Sequence, residues 1–147
     1  MFRNAFRNWN ISNLNQGVSS WLRFKNVDPN KFYLADSSGL SKENKLTTYG
    51  LVNFLYKMSH HRYSKYYFSS MALYGARGTL SERPYRSNLT GKLLAKTGTL
   101  ENVKSLSGVL NAGYSPLYIS IIINKPGEHE DLIDNLLSTI SSSSNCN

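Results

Sequence analysis

One short segment of the chain combines residue types that can hold an anionic ligand. Lys96, Thr97 and Gly98 follow one another, and Thr99 comes next, within a run of β-forming residues. A lysine ammonium and a threonine hydroxyl can both donate hydrogen bonds to a carboxylate, and a glycine lets the backbone lie close to the bound molecule. A Lys-Thr-Gly tripeptide also arises by chance, and a strand lysine on its own is usually just solvated, so the sequence around it must decide its meaning.

Two further strings precede this segment. Residues 36–44 read D-S-S-G-L-S-K-E-N, and residues 75–83 read G-A-R-G-T-L-S-E-R. Together with K-T-G-T-L, they resemble the D-G-S-G-L-S-R-x-N, A-G-x-D-G-T-L-x-x-R and K-T-G-[TS]-L segments of class C low-molecular-mass penicillin-binding proteins, the serine-type D-alanyl-D-alanine carboxypeptidase/endopeptidase family. The resemblance runs from about Trp21 to Asn124. It departs from the family at Ser37, where a glycine is usual, and at Arg77, where an aspartate is usual.

This resemblance implies a fold, an activity and a site. The fold is a partial transpeptidase domain of the penicillin-binding-protein/β-lactamase type, C-terminal portion only, and the substrate is a peptidoglycan stem peptide. Lys96 and Thr97 are assigned catalytic roles in binding the substrate carboxylate. Gly98 and Thr99 are assigned to substrate binding, the backbone N–H of Thr99 being one donor of the oxyanion hole.

The loop over residues 36–44 is expected to lie near this site. Asp36, Ser38 and Gly39 are predicted to have a structural role in it, because short polar side chains brace loops through hydrogen bonds to the backbone. The three histidines, two adjacent and one alone, lack the spacing of metal ligands, so no metal site and no cofactor are expected.

The catalytic serine of such an enzyme is not found in the sequence. The family carries its nucleophile in an S-x-x-K motif and a second catalytic pair in S-x-N, both ahead of the D-G-S-G-L-S segment. No serine here has a lysine three places on, and the only S-x-N, at residues 143–145, follows the K-T-G segment. Without an activated serine no acyl-enzyme forms. We therefore expect this chain to be the distal portion of a longer enzyme, inactive in isolation and active only with an N-terminal partner chain. The alternative is a non-catalytic module that binds cell-wall peptides or glycans.

The elements that must position these residues follow from hydrophobic periodicity. The sequence predicts an amphipathic helix over Gln16–Lys25, a helix that Thr48 caps, and a helix that opens at Glu130. It predicts four strands: Phe32–Ala35, Leu93–Thr99, Ser105–Asn111 and Leu117–Ile123. The fold class is therefore α+β, an antiparallel sheet flanked by helices, with residues 1–140 in the domain and 141–147 forming a disordered polar tail.

Charge and hydropathy limit the partners and the location. The formal net charge of +8 favours an anionic partner. Tyrosines beside Arg62 and Lys65 can stack on bases, but ordinary packing explains them better, so nucleic acid is not the predicted partner.

No apolar run is long enough for a transmembrane segment, and no signal peptide is visible. The resemblance nevertheless implies a periplasmic or extracytoplasmic location.

Overall fold

Three helices and three two-residue strands fill the first half of the chain, and three longer strands and a helix fill the second. The computed structural model describes residues 10–144. In chain order the helices and strands are α1 (Ile11–Phe24), β1 (Phe32–Tyr33), β2 (Lys45–Leu46), α2 (Thr48–Ser59), α3 (Ser64–Ser69), β3 (Ala72–Leu73), β4 (Leu93–Leu100), β5 (Val103–Leu110), β6 (Leu117–Ile123) and α4 (Glu130–Ser143). None of the helices in residues 10–144 has the length and apolar character needed to span a bilayer.

The main sheet is antiparallel, with strand order β3-β4-β5-β6. β4 pairs with β5 along its whole length, and β5 pairs with β6 in the same way. β3 adds only two residues, opposite Leu94 and Ala95 of β4. β1 and β2 form a separate two-stranded pair. The predicted α+β class, an antiparallel sheet flanked by helices, is confirmed.

The strands present different side chains to the two faces of the sheet, because successive residues alternate. One face carries the core, where apolar side chains of the long strands pack against the stripe of α4; its buried members include Leu93, Ala95, Leu106, Leu110, Ile133 and Leu137. On the other face α2 packs against β6, with the rings of Tyr56 and Tyr118 5.7 Å apart. α1 joins α2 through Trp21 and Phe54, whose ring centroids are 5.8 Å apart.

Both early helices begin where a side chain caps them. α1 starts five residues before the predicted Gln16, because the side-chain oxygen of Asn10 accepts a 2.7 Å hydrogen bond from the N–H of Asn13. α2 is capped by Thr47, whose hydroxyl accepts from the N–H of Gly50, so the prediction of Thr48 as the cap is wrong by one residue. The predicted strand at Phe32–Ala35 is shorter than expected, since only its first two residues pair.

The end of α4 differs from the sequence prediction. A disordered tail was expected from residue 141 onward, but the helix continues through Ser143. Ser141 is buried, and its hydroxyl donates a 2.8 Å hydrogen bond to the carbonyl oxygen of Asn88. The prediction is therefore wrong for Ser141–Ser143, because tertiary contacts hold serines that have little helix propensity of their own. Residues 145–147 lie outside the described residues.

A buried polar cluster ties α4 to the loop that follows β3. The Asp134 carboxylate is fully buried, accepts a 2.8 Å hydrogen bond from the Tyr74 hydroxyl and lies 3.5 Å from the Arg83 guanidinium. Burial first, and then Asp134, raise the pKa of Tyr74 to about 12, so the phenol stays protonated and donates. Arg83 is the last residue of the 75–83 string. This cluster thus fixes that string against the core.

Asp134→Ala is expected to lower the free energy of unfolding by about 3 kcal/mol, because removing one partner leaves the other charge buried and unpaired. Chemical denaturation followed by circular dichroism measures this. Asp131→Ala, an exposed position on the same helix, is the matched control and should cost less than about 1 kcal/mol. Equal losses in the two variants would show that the buried cluster does not stabilise the fold.

Candidate functional site

The Lys-Thr-Gly segment lies where β4 has a free edge. Leu93 of β4 accepts a hydrogen bond from Tyr74 on the β3 side, whereas Lys92 accepts one from Asn111 on the β5 side. Alternate residues of a strand point their backbone groups to opposite edges. The N–H and C=O groups of Thr97 and Thr99 therefore point away from β5, past the end of β3. Among residues 10–144 no strand pairs with this edge of β4, the one away from β5, at these two positions.

The loop after β1 is held by one carboxylate. Asp36 accepts hydrogen bonds from the N–H groups of Gly39 and Ser41, from the Ser38 hydroxyl and from the Asn44 amide, all between 2.9 and 3.0 Å. The Asn44 side-chain oxygen in turn accepts from the N–H of Ala35. Gly39 has a φ of 80°, a conformation that glycine adopts without strain. The loop is thus rigidly shaped by hydrogen bonds.

This loop and β4 form the walls of one groove with a volume of ≈ 910 Å³. All seven residues singled out from the sequence line it: Asp36, Ser38, Gly39, Lys96, Thr97, Gly98 and Thr99. An ion pair between Lys42 of the loop and Glu101, just after β4, joins the two walls. A second cavity of ≈ 500 Å³ between α1, β1 and α2 is lined by apolar side chains and carries none of these residues.

The side chains of the Lys-Thr-Gly segment leave the strand on different faces. Lys96 and Gly98 lie opposite Ser107 and Ser105 of β5, and Lys96 is exposed, with its ammonium donating to the carbonyl oxygen of Thr97. A side chain at position 98 would collide with the hydroxyl of Ser105. A larger residue at position 98 would have to displace that hydroxyl, and glycine does not.

Thr97 has a partner that the sequence did not indicate. Its hydroxyl lies 2.7 Å from the hydroxyl of Thr79. Either oxygen can donate, so Thr97 can accept from Thr79 while its own proton is directed elsewhere. Thr79 belongs to the 75–83 string, and the string's resemblance to a family segment was the only signal that could have found it. The structure identifies Thr79 as a neighbour of the site through this contact.

Arg77, the departure from the family pattern, is used locally. Its guanidinium donates to the carbonyl oxygens of Ser69 and Met71 at 2.7 and 2.9 Å. These bonds hold the turn between α3 and β3, and Arg77 does not line the groove. The cation at this position therefore braces the backbone beside the site.

Within residues 10–144 no group of three or more His, Cys, Asp or Glu side chains is gathered as metal ligands would be.

The loop carboxylate has a pH-dependent role. The Asn44 side chain, most of all, and then the Gly39, Ser38 and Ser41 donors lower the pKa of Asp36 to about 2, against a smaller opposing effect of burial. A carboxyl whose pKa is depressed on folding stabilises the folded state above its unfolded pKa of about 4. That contribution is lost as the pH falls from about 4 to about 2.

An NMR titration should therefore show the amides of Gly39 and Ser41 shifting with a midpoint near pH 2. Asn44→Ala should move that midpoint up towards the ordinary value, because the strongest donor is gone, and Asp36→Asn should abolish the transition. A midpoint near pH 4 in the unmodified chain would contradict the hydrogen-bonded arrangement.

The chain is similar to known proteins both in sequence and in fold. Residues 9–140 match the family model described as D-Ala-D-Ala carboxypeptidase 3 (S13). The chain is 31% identical to a D-alanyl-D-alanine carboxypeptidase of Actinomadura sp. (strain R39) and 30% identical to penicillin-sensitive carboxypeptidase A of Dictyostelium discoideum, covering 74% and 67% of this chain. It spans 21% of the length of each of these relatives. The fold matches penicillin-binding protein 4 of Haemophilus influenzae with a TM-score of 0.77 at 21% identity, over 89% of this chain and 32% of that one. The chain belongs to the D-Ala-D-Ala carboxypeptidase 3 (S13) family.

Proposed function

We propose that this chain forms the carboxylate-binding wall of a serine-type D-alanyl-D-alanine carboxypeptidase/endopeptidase site that acts on peptidoglycan stem peptides. The observation that carries the proposal is the groove itself, in which the Lys96–Thr99 edge of β4 faces the braced 36–44 loop. The family membership of the chain supports the same substrate class.

Each group has a chemical task in this proposal. The Lys96 ammonium and the Thr97 hydroxyl bind the terminal carboxylate of the peptide through charge-assisted hydrogen bonds. The backbone groups of Thr97 and Thr99 that point away from β5 pair with the extended backbone of the substrate, as an added strand does at a sheet edge, and the Lys96 ammonium gives up its bond to the Thr97 carbonyl when the peptide binds. The N–H of Thr99 donates to the oxygen of the scissile carbonyl as negative charge develops on it. Gly98 leaves room for the peptide.

The nucleophile is proposed to come from outside these residues. No serine of the 147 residues is followed by lysine at the third position, so an S-x-x-K segment must be supplied by an N-terminal partner chain or segment. The free edge of β4 and the open groove are compatible with such a partner. Because the substrate class is cell-wall peptide, we propose a periplasmic or extracytoplasmic location.

A second candidate is a non-catalytic module that binds cell-wall peptides or glycans. The same missing motif favours it, and a net charge of +8 suits an anionic wall polymer. The two candidates share the carboxylate-binding wall and differ in whether a serine is ever acylated.

Binding of a fluorescent peptide that ends in D-Ala-D-Ala tests the shared wall. Lys96→Met should weaken binding about tenfold or more, since a hydrogen bond between charged groups contributes about 1.5–3 kcal/mol. Fluorescence anisotropy measures the affinity. Lys92→Met, a partly exposed lysine just before the same strand and outside the groove, is the matched control and should bind like the unmodified chain.

The same peptide with an amidated C-terminus isolates the carboxylate. It should bind weakly to the unmodified chain, and Lys96→Met should have little further effect on it. An equal loss of affinity for the acid and the amide would show that Lys96 does not recognise the carboxylate.

Labelling by a fluorescent penicillin tests the nucleophile. The 147-residue chain alone should not be acylated, because it lacks an activated serine. Mass spectrometry that located the label on one serine would contradict this. Labelling that appears only when a partner chain with S-x-x-K is added would favour the enzyme over the binding module.

A further inference from the structure

The surface formed by the end of α1, α2 and α3 carries positive charge without neighbouring acids. From Asn44 to Ser81 the sequence has five lysines and arginines and no aspartate or glutamate. The last turn of α1 and its cap add Arg23 and Lys25. The first carboxylate after α1, that of Asp28, lies 3.8 Å from Lys31. With five cations and no carboxylate, residues 44–81 carry +5 of the formal net charge of +8.

Aromatic contacts make this side one continuous surface. Trp21 of α1 contacts Phe54 of α2, and Phe54 contacts Tyr67 of α3 at 5.9 Å between ring centroids. The three helices are thus joined by one tilted and one edge-on ring contact.

The cations of this surface lie close to exposed rings. The Lys25 ammonium is 4.9 Å from the ring centroid of Phe24, and the Arg62 guanidinium is 4.7 Å from that of Tyr63. Burial, then Lys25 and then Arg62 lower the pKa of His61, so both cations lie within electrostatic reach of one imidazole. The ring contacts from Trp21 through Phe54 to Tyr67 link the end of α1 to α2 and α3.

The rings are open to solvent. Phe24 is 76% exposed, Tyr66 71% and Tyr63 51%. The surface is therefore amphipathic: Phe24 presents an apolar ring to solvent, and the Lys25 ammonium lies beside that ring. We call Phe24, Lys25, Arg62, Tyr63 and Tyr66 the aromatic-basic patch.

We propose that the aromatic-basic patch binds the surface of an anionic phospholipid bilayer. Aromatic side chains are favoured at the level of the headgroups, and lysine and arginine are attracted by anionic lipids over a Debye length. In this arrangement Phe24 enters the boundary between headgroups and acyl chains while Lys25 and Arg62 contact lipid phosphates. The chain lies on the membrane and does not cross it.

The shape of the patch favours a bilayer over a nucleic acid. Proteins that bind single strands do so in a positively charged groove with stacking rings along it. None of the five patch residues lines either of the two cavities described above. A lipid bilayer also offers Phe24 an apolar environment, which the sugar-phosphate backbone of a nucleic acid does not.

Sedimentation of the 147-residue chain with lipid vesicles tests the proposal. The chain should bind vesicles of phosphatidylcholine and phosphatidylglycerol and not vesicles of phosphatidylcholine alone, and added salt should weaken binding. Arg62→Gln should reduce the partition coefficient about fivefold, the effect of one cation near an anionic surface. Phe24→Ser should reduce it about tenfold through lost apolar burial.

Two surface positions outside the patch provide controls. Tyr85→Ser and Lys125→Gln change an exposed ring and an exposed cation on other parts of the chain and should bind like the unmodified protein. Equal losses in patch and control variants, or equal binding to neutral and anionic vesicles, would overturn the proposal. So would retention on DNA or an anionic polysaccharide without vesicle binding.

Discussion

β4 is held along its whole length by β5 on one side and by β3 at only two residues on the other. That unequal pairing is the constraint on which the groove depends. If β3 continued by three or four residues, the N–H and C=O groups of Thr97 and Thr99 would be used inside the sheet. If β5 were shorter, the strand would lose the register that holds Lys96 opposite Ser107 and Gly98 opposite Ser105. A rigid strand with one free edge is therefore what makes the segment available to a ligand.

Two polar clusters keep the walls of the groove in place, and each uses a carboxylate. Asp36 shapes the loop through four donors in a partly exposed setting, where those donors keep it ionised. Asp134 is buried in the interior, where the Tyr74 hydroxyl and the Arg83 guanidinium offset the loss of hydration of its carboxylate. Through Arg83 the second cluster also fixes the loop that brings Thr79 to Thr97. The site is thus supported from the core as well as from the surface.

Helix α1 connects the groove to the basic side of the molecule. Leu14 and Val18 of this helix line the groove, and Phe24 ends the helix in the aromatic-basic patch. Ten residues of α-helix separate Leu14 from Phe24 by about 15 Å. A chain that rests on a membrane through the patch would therefore hold its groove within a short distance of the lipid surface, on the side where cell-wall peptide lies in the proposed location.

The sequence by itself determined the long strands, α2, α4 and the group of residues that share the groove. Hydrophobic periodicity identifies elements of seven or more residues, because each must bury one face. The tertiary structure decided what depends on few residues or on distant ones. β3 has only two residues, too few for a hydrophobic pattern to identify it. α2 is capped by Thr47 and not by the predicted Thr48. Ser141 lies in a helix where its hydroxyl donates to the Asn88 carbonyl and its side chain is buried. The contact of Thr79 with Thr97 and the Lys42–Glu101 pair join segments 18 and 59 residues apart, and no local pattern encodes a contact at that separation.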